Sequence, residues 1–253
     1  MRTVIIIPAL NEEAAIGGVV HSVRHLVDQV IVVDNGSTDE TAARAAAAGA
    51  VTIHVPQPGY GRACLAGVKT AGDADVIVFM DGDGADDPDD LSSVIDPILK
   101  GRADMVIGSR LLGRTERGAL TLAQRFGNRL ATQLMRWIWG GHFTDLGPFR
   151  AITRPAYEAL DMQAETFGWT VEMQVRALKQ KLRCAEVPAT YRRRIGVSKI
   201  SGTLKGVCLA GWFILGTIFK EAMMPNHNTK KRHAPRAESF PVSTGLPSSE
   251  RSG

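Results

Sequence analysis

A chain of 253 residues, 44% of them hydrophobic and 22% charged, can bury a full core as one large or one and a half domains. The formal net charge of +4 suits an anionic substrate or a membrane surface, and no interleaved basic-aromatic motif points to nucleic acid. The three cysteines, Cys64, Cys184 and Cys208, stand at no metal or redox spacing, and their odd number argues against a disulfide scaffold.

The first half alternates strand and helix. Apolar strand-like runs fall at residues 4–8, 30–34, 51–55, 76–81 and 105–109. Helix-like stretches at 12–26, 41–48, 62–71 and 89–99 lie between them. Such alternation predicts a mainly parallel central sheet flanked by helices, and the continuous apolar runs suit strands covered on both faces. The chain opens on a strand, not on a basic and then apolar leader, so the expectation is a cytoplasmic protein.

The second half is less regular. A helix is expected over 122–139, a strand over 149–153, a helix over 169–181 and a strand over 185–192. On the first of these helices Arg125, Arg129 and Arg136 share one face, and Phe126, Leu130, Leu134 and Trp137 form an adjoining apolar face. A helix lying on an anionic membrane shows this pattern, and so does an ordinary amphipathic helix with a solvated charged side. The uncharged run 206–219 falls short of the ~20 residues that span a bilayer. It reads either as a core helix or as a membrane-surface helix, with Lys205 and Lys220 at its ends. Residues 1–202 form the expected catalytic unit, 203–224 an apolar helix, and 225–253, rich in Pro, Ser, Asn and charge, a disordered tail.

The segment DVIVFMDGDG carries the strongest chemical signal. Asp81 and Asp83 stand one residue apart where a strand meets its loop, so both carboxylates can converge on one hard cation. Four more polar or glycine-rich segments follow strands predicted to end on the same sheet edge: residues 8–13, 34–39, 58–62 and 108–110. In open α/β sheets that edge is the ligand crevice. Asp34 can accept a hydrogen bond from a nucleobase N–H. Gly61 and its neighbours let backbone approach a ligand, and Arg62 brings positive charge. Neither G-x-G-x-x-G nor a Walker G-x-x-x-x-G-K is present, which excludes those two nucleotide sites.

The motifs PALNEE, VVDNGSTDET, MDGDG and IGSR, in that order and spacing, resemble the inverting family-two glycosyltransferases of GT-A fold. DLGPFR, GWTVE, and EVP followed by RIGVSK are similar to the dolichyl- or polyprenyl-phosphate sugar synthases. The resemblance implies that Pro8, Ala9, Asn11 and Glu12 line a nucleotide pocket and that Asp34 reads the base. It implies Mg²⁺ or Mn²⁺ on Asp81 and Asp83 against the donor diphosphate, and Arg110 and Arg125 at the lipid phosphate. Arg194, Ser198 and Lys199 would close over the phosphates. Relatives often carry Gln or Ser two residues after the second Asp; here Ala85 and then Asp86 follow, which leaves a third metal ligand open.

The expected reaction is hexose transfer from a nucleotide sugar, of the UDP-glucose or GDP-mannose type, to polyprenyl phosphate, by a protein peripheral on the cytoplasmic membrane face. A phosphate acceptor needs no general base, since its second pKa is about 6. An alcohol acceptor needs one, and Asp145 or Glu172 are the candidates. A non-catalytic nucleotide-sugar-binding module is the remaining alternative.

Overall fold

The computed structural model describes residues 1–196 and 204–224. Seven strands form one sheet: β1 (Thr3–Ala9), β2 (Gln29–Asp34), β3 (Val51–His54), β4 (Val76–Phe79), β5 (Met105–Ser109), β6 (Arg150–Thr153) and β7 (Cys184–Pro188). Their order is β3-β2-β1-β4-β6-β5-β7. Every pairing is parallel except those of β6, which runs antiparallel between β4 and β5.

Alternate residues of each strand feed opposite layers. Ile5 and Ile7 of β1 pack in the layer that holds α1 (Ile16–Val23), α2 (Thr41–Ala47) and α4 (Leu91–Leu99). Val4 and Ile6 face the layer of α3 (Tyr60–Thr70), α6 (Arg154–Leu160) and α7 (Trp169–Lys179). β1 is buried almost throughout because both sides are covered, which is why its sequence reads TVIIIPA without polar alternation. Gly67 lets α3 lie close on the sheet, since a Cβ there would stand 2.4 Å from Ile6 Cγ2.

A third cluster joins α5 (Leu122–Trp139), α7 and α8 (Leu204–Met223) through Ala131, Met135, Val171, Val175 and Ile218. On α5 the buried positions are Asn128, Ala131, Thr132 and Met135. The bulky apolar side chains point the other way: Phe126 is 69% exposed and Trp137 73%. α8 is likewise two-sided. Ile218 and Glu221 are buried, while Trp212 is 76% and Phe219 61% exposed. Among the described residues no helix is long and apolar enough to cross a membrane.

Two predicted elements differ from those found, and one element was not predicted. α1 begins at Ile16 rather than residue 12, because residues 11–15 form a turn in which Asn11 takes a φ of 52°. β7 ends at Pro188, after which the chain leaves the sheet and pairs Tyr191 with Arg114 and Glu116. α6 was not expected, although Thr153 followed by Pro155 is a helix-start signal, and the Thr153 hydroxyl accepts from Ala156 N at 3.3 Å. The segment 225–253 lies outside the described residues.

Candidate active site

β1, β2, β3, β4 and β5 all run the same way, so the five segments singled out above share one edge of the sheet. The antiparallel β6 adds a sixth. Its first residue, Arg150, pairs with Phe79 and Ile107, which brings loop 144–149 to that same edge.

On one flank the loops after β1 and β2 are tied together. Pro8 and Ala9 stand level with Val33 and Asp34. Asn11 N donates to Ser37 Oγ (2.9 Å), Thr38 N donates to Asn11 Oδ1 (2.7 Å), and Glu12 N donates to Thr41 Oγ1 (2.8 Å). Asp34 is buried and accepts from Ser37 N (3.0 Å). Its other oxygen lies 2.7 Å from His54 Nδ1, which therefore carries the proton. Burial pushes the Asp34 carboxyl up, but Ser37 and His54 more than offset it and hold the group below the usual range.

At the centre, Tyr60 Oη donates to Asp81 Oδ1 (3.2 Å). Asp83 Oδ1 accepts from Ala85 N (2.9 Å), and Asp83 Oδ2 is 2.5 Å from Arg194 Nη2. The same nitrogen is 3.5 Å from Glu12 Oε1. Burial, then the charge of Asp83, pushes Asp81 up to about 7. Asp86 is also held well above its usual range by burial and by both neighbours, and it accepts from Asp81 N at 3.3 Å. These carboxylates repel one another and draw in a guanidinium, which is the chemistry of a cation site. Among the described residues no group of three or more His, Cys, Asp or Glu forms a cage for an ion. The arrangement fits Mg²⁺ or Mn²⁺, which take one or two carboxylates and complete the shell with phosphate and water. Because a ligating carboxylate must be ionised, Mn²⁺ affinity should climb as pH rises through 7, with proton release on binding. Calorimetry in buffers of different ionisation enthalpy measures this; flat affinity from roughly pH 6 to 8 would contradict it.

On the other flank Arg110 grips Asp145 bidentately, Nε to Oδ2 at 2.8 Å and Nη2 to Oδ1 at 2.7 Å, and Arg110 N donates to Oδ2 as well (2.8 Å). Burial would raise the Asp145 carboxyl, but Arg110 overrides it and holds the group low. The Arg110 guanidinium also lies 5.0 Å over the Tyr191 ring. The loop itself is held from below: Asn128 Oδ1 accepts from Leu146 N (2.8 Å), and Glu186 accepts from Thr144 N (2.9 Å). The fully buried Arg150 donates to Leu146 O and Thr170 O at 3.1 and 3.0 Å.

Glu172 is turned to a structural task. Its carboxylate accepts from Gln163 N (3.1 Å) and Ala164 N (2.7 Å) and pairs with Arg176 (2.9 Å). The loop it holds presses on α3, where Arg62 N donates to Glu165 O (2.9 Å) and the Arg62 guanidinium pairs with the Glu165 carboxylate. This corrects the expectation for Gly61: the backbone that comes close is the protein's own, since a Cβ at Gly61 would lie 2.0 Å from Ala164 O. Gly61→Ala should therefore destabilise the fold by ~1–3 kcal/mol in urea titration, as overpacking does; unchanged stability would contradict the contact. Arg125 lies exposed on α5, apart from the ion pairs of the crevice. Ser198 and Lys199 lie outside the described residues.

Sequence reasoning missed His54, Tyr60 and Glu186. His54 meets Asp34 because the β2–β3 register sets those two residues side by side. Tyr60 stood in a glycine-rich segment already singled out, but its hydroxyl finds Asp81 only once α3 is docked. Glu186, in the quoted EVP segment, reaches Thr144 because β7 pairs with β5.

Comparison with known proteins agrees with this layout. Residues 4–161 match the profile described as glycosyl transferase family 2. Glycosyltransferase AglJ of Haloferax volcanii is 33% identical over 192 residues, covering 75% of this chain and 63% of its own. The chain thus spans less than two thirds of that relative. Polyprenol monophosphomannose synthase of Mycolicibacterium smegmatis is 34% identical over 223 residues, covering 80% of this chain and 82% of its own. Among solved structures, glucosyl-3-phosphoglycerate synthase of Mycobacterium tuberculosis, in complex with Mn²⁺, UDP-glucose and phosphoglyceric acid, superposes with a TM-score of 0.71 at 24% identity. The match covers 89% of this chain and 81% of that one.

Proposed function

Since the chain belongs to glycosyl transferase family 2 and has a GT-A fold, we propose that this enzyme moves a hexose from a nucleotide-diphosphate sugar to polyprenyl phosphate, with inversion at the anomeric carbon. The observation that carries the acceptor class is the state of Asp145 and Glu172. Asp145 is clamped by Arg110 and held low, and Glu172 is engaged by two backbone N–H groups and Arg176. Neither is placed to take a proton from an alcohol. A phosphate monoester asks for no base, because near neutral pH it is already largely dianionic.

In this reading Pro8, Ala9, Asn11 and Glu12 line the nucleotide pocket, and Asp34, oriented by Ser37 and His54, accepts a nucleobase N–H. Asp81 and Asp83 hold the divalent cation. That ion, when bound, stabilises charge developing on the leaving diphosphate. Arg194 meets the diphosphate. Arg110, kept protonated and aimed by Asp145, neutralises the acceptor phosphate, with Arg125 following the lipid headgroup. A phosphate oxygen forms the new bond to the anomeric carbon. The bond to the diphosphate oxygen breaks, and the nucleoside diphosphate leaves with the electron pair.

The outward faces of α5 and α8 support a lipid acceptor. On α5, Phe126 and Trp137 are exposed along with Arg125, Arg129 and Arg136, the make-up of a surface that lies on an anionic bilayer, and α8 exposes Trp212 and Phe219. Related proteins act on such lipids: one is a polyprenol monophosphomannose synthase, another a dolichyl-phosphate N-acetylglucosaminyltransferase. Replacing Phe126 and Trp137 by Ser should weaken binding to anionic vesicles at least tenfold, since burying one such ring contributes ~1.5–3 kcal/mol. Cosedimentation measures this, and unchanged binding would remove α5 from the membrane face.

The acceptor class is tested by offering a short-chain polyprenyl phosphate and the matching polyprenol with the same donor. Transfer to the phosphate alone is expected. Transfer to the alcohol, lost on Glu172→Gln, would favour a base-dependent reaction instead.

A further inference from the structure

Arg194 does more in this structure than wait for a phosphate. Its Nη2 stands 2.5 Å from Asp83 Oδ2 and 3.5 Å from Glu12 Oε1. The chain around it is fastened to the same loop: Arg192 N donates to Ala85 O (2.7 Å) and Ile195 N to Asp83 O (2.9 Å). The guanidinium is thus held against the carboxylate by backbone anchors on both sides. A divalent ion of this class sits roughly 2.1 Å from its carboxylate oxygens. It would crowd the guanidinium at the same Asp83 oxygen, and the two positive charges would repel one another there.

The hold is also incomplete. Arg194 Nε is buried and has no hydrogen-bond partner among the described residues. A diphosphate entering with the metal brings anionic oxygens that can accept from both edges of the guanidinium, a pairing arginine is shaped for. A bare metal ion brings no such acceptor. It would have to displace Arg194 from Asp83 and leave it only the more distant Glu12 carboxylate.

We infer that Arg194 is a tethered counter-ion that keeps Asp83 from taking a free metal ion, so that the donor site admits the divalent cation only together with a nucleoside diphosphate. This rests on the reading of Asp83 as a metal-holding carboxylate. It goes beyond a phosphate-binding role, because it gives the arginine a function in the empty site and fixes how that site is loaded. The same side chain serves both states by exchanging Asp83 for phosphate oxygens, while the backbone anchors at Arg192 and Ile195 stay in place.

The test measures Mn²⁺ binding to the full chain from the loss of free-ion EPR signal, with and without saturating uridine or guanosine diphosphate. Wild type should bind Mn²⁺ alone weakly and much more tightly with the matching nucleotide. Arg194→Met should tighten binding of Mn²⁺ alone about tenfold, equivalent to ~1.4 kcal/mol. It should shrink the enhancement by nucleotide, because coupling between two ligands is reciprocal. Arg194→Gln, a polar neutral variant, should do the same if the Met variant folds poorly, and Arg194→Lys should keep Mn²⁺ binding weak. Equal or weaker binding of Mn²⁺ alone in both neutral variants overturns the inference. Asp83→Asn separates the two levels. If it abolishes nucleotide-dependent Mn²⁺ binding while the neutral Arg194 variants change nothing, the tethered counter-ion falls and the metal assignment stands. If Asp83→Asn binds as wild type does, both fall.

Discussion

Asp83→Asn is expected to lower metal-dependent turnover by about 10²–10³-fold or more, the scale set by losing a preorganised charge at a leaving group. The fold should survive. The Asp83 Oδ1 contact to Ala85 N can be kept by an amide oxygen, and the side chain otherwise faces Arg194. The loss should fall on Mn²⁺-dependent nucleotide binding as well as on turnover. Binding measured without metal should hold or improve, since one negative charge facing the diphosphate is gone. Turnover within threefold of wild type at an unchanged melting temperature would remove Asp83 from the metal site.

Arg110→Ala should be the most damaging single change on the acceptor flank. It strips a buried carboxylate of its counter-ion, since Asp145 is only 1% exposed, and breaking a buried pair from one side costs about 3–5 kcal/mol. The pH dependence gives the sign. In wild type Asp145 titrates below its unfolded value of ~3.9, so the stability it contributes is present above that pH. It is lost as pH falls through the lower folded value. Without the Arg110 side chain, burial is opposed only by the backbone N–H groups of residues 110 and 146, and the carboxyl moves up. The variant then lacks least stability in acid and most at neutral pH, the reverse of wild type. Urea titrations at pH 5 and 8 measure the difference. The double variant Arg110→Ala with Asp145→Asn should recover part of the loss, because no unpaired charge remains. An Arg110→Ala protein with wild-type stability at both pH values would contradict the pairing.

Much of this was legible in the sequence where one residue decides one local outcome. The continuous apolar runs marked β1, β2, β4 and β5, because a strand covered on both faces has no polar alternation to confuse the reading, whereas β3, at the sheet edge, has no buried residue. Asp81, Asp83 and Asp34 were singled out because strand ends on one sheet edge are where ligands gather, and the structure sets all three at that edge. What escaped depends on pairings between distant segments. The antiparallel placement of β6 brings Asp145 beside Arg110, yet nothing in residues 149–153 states a direction. The β2–β3 register makes His54 the partner of Asp34, and docking of α3 takes Tyr60 to Asp81. Periodicity on α5 revealed its two outer stripes but not which way they faced. The core side proved to be the small and polar one, Asn128, Ala131 and Thr132 with Met135, because α7 and α8 approach there.

The central claim is tested most directly by incubating the purified protein with Mn²⁺ or Mg²⁺, short-chain polyprenyl phosphate and one labelled nucleotide sugar at a time. Label should pass into the organic phase with one donor, require the metal, and be released from it by mild acid as the free sugar. Metal-dependent nucleotide binding with no label in the organic phase from any donor would contradict a polyprenyl phosphate acceptor.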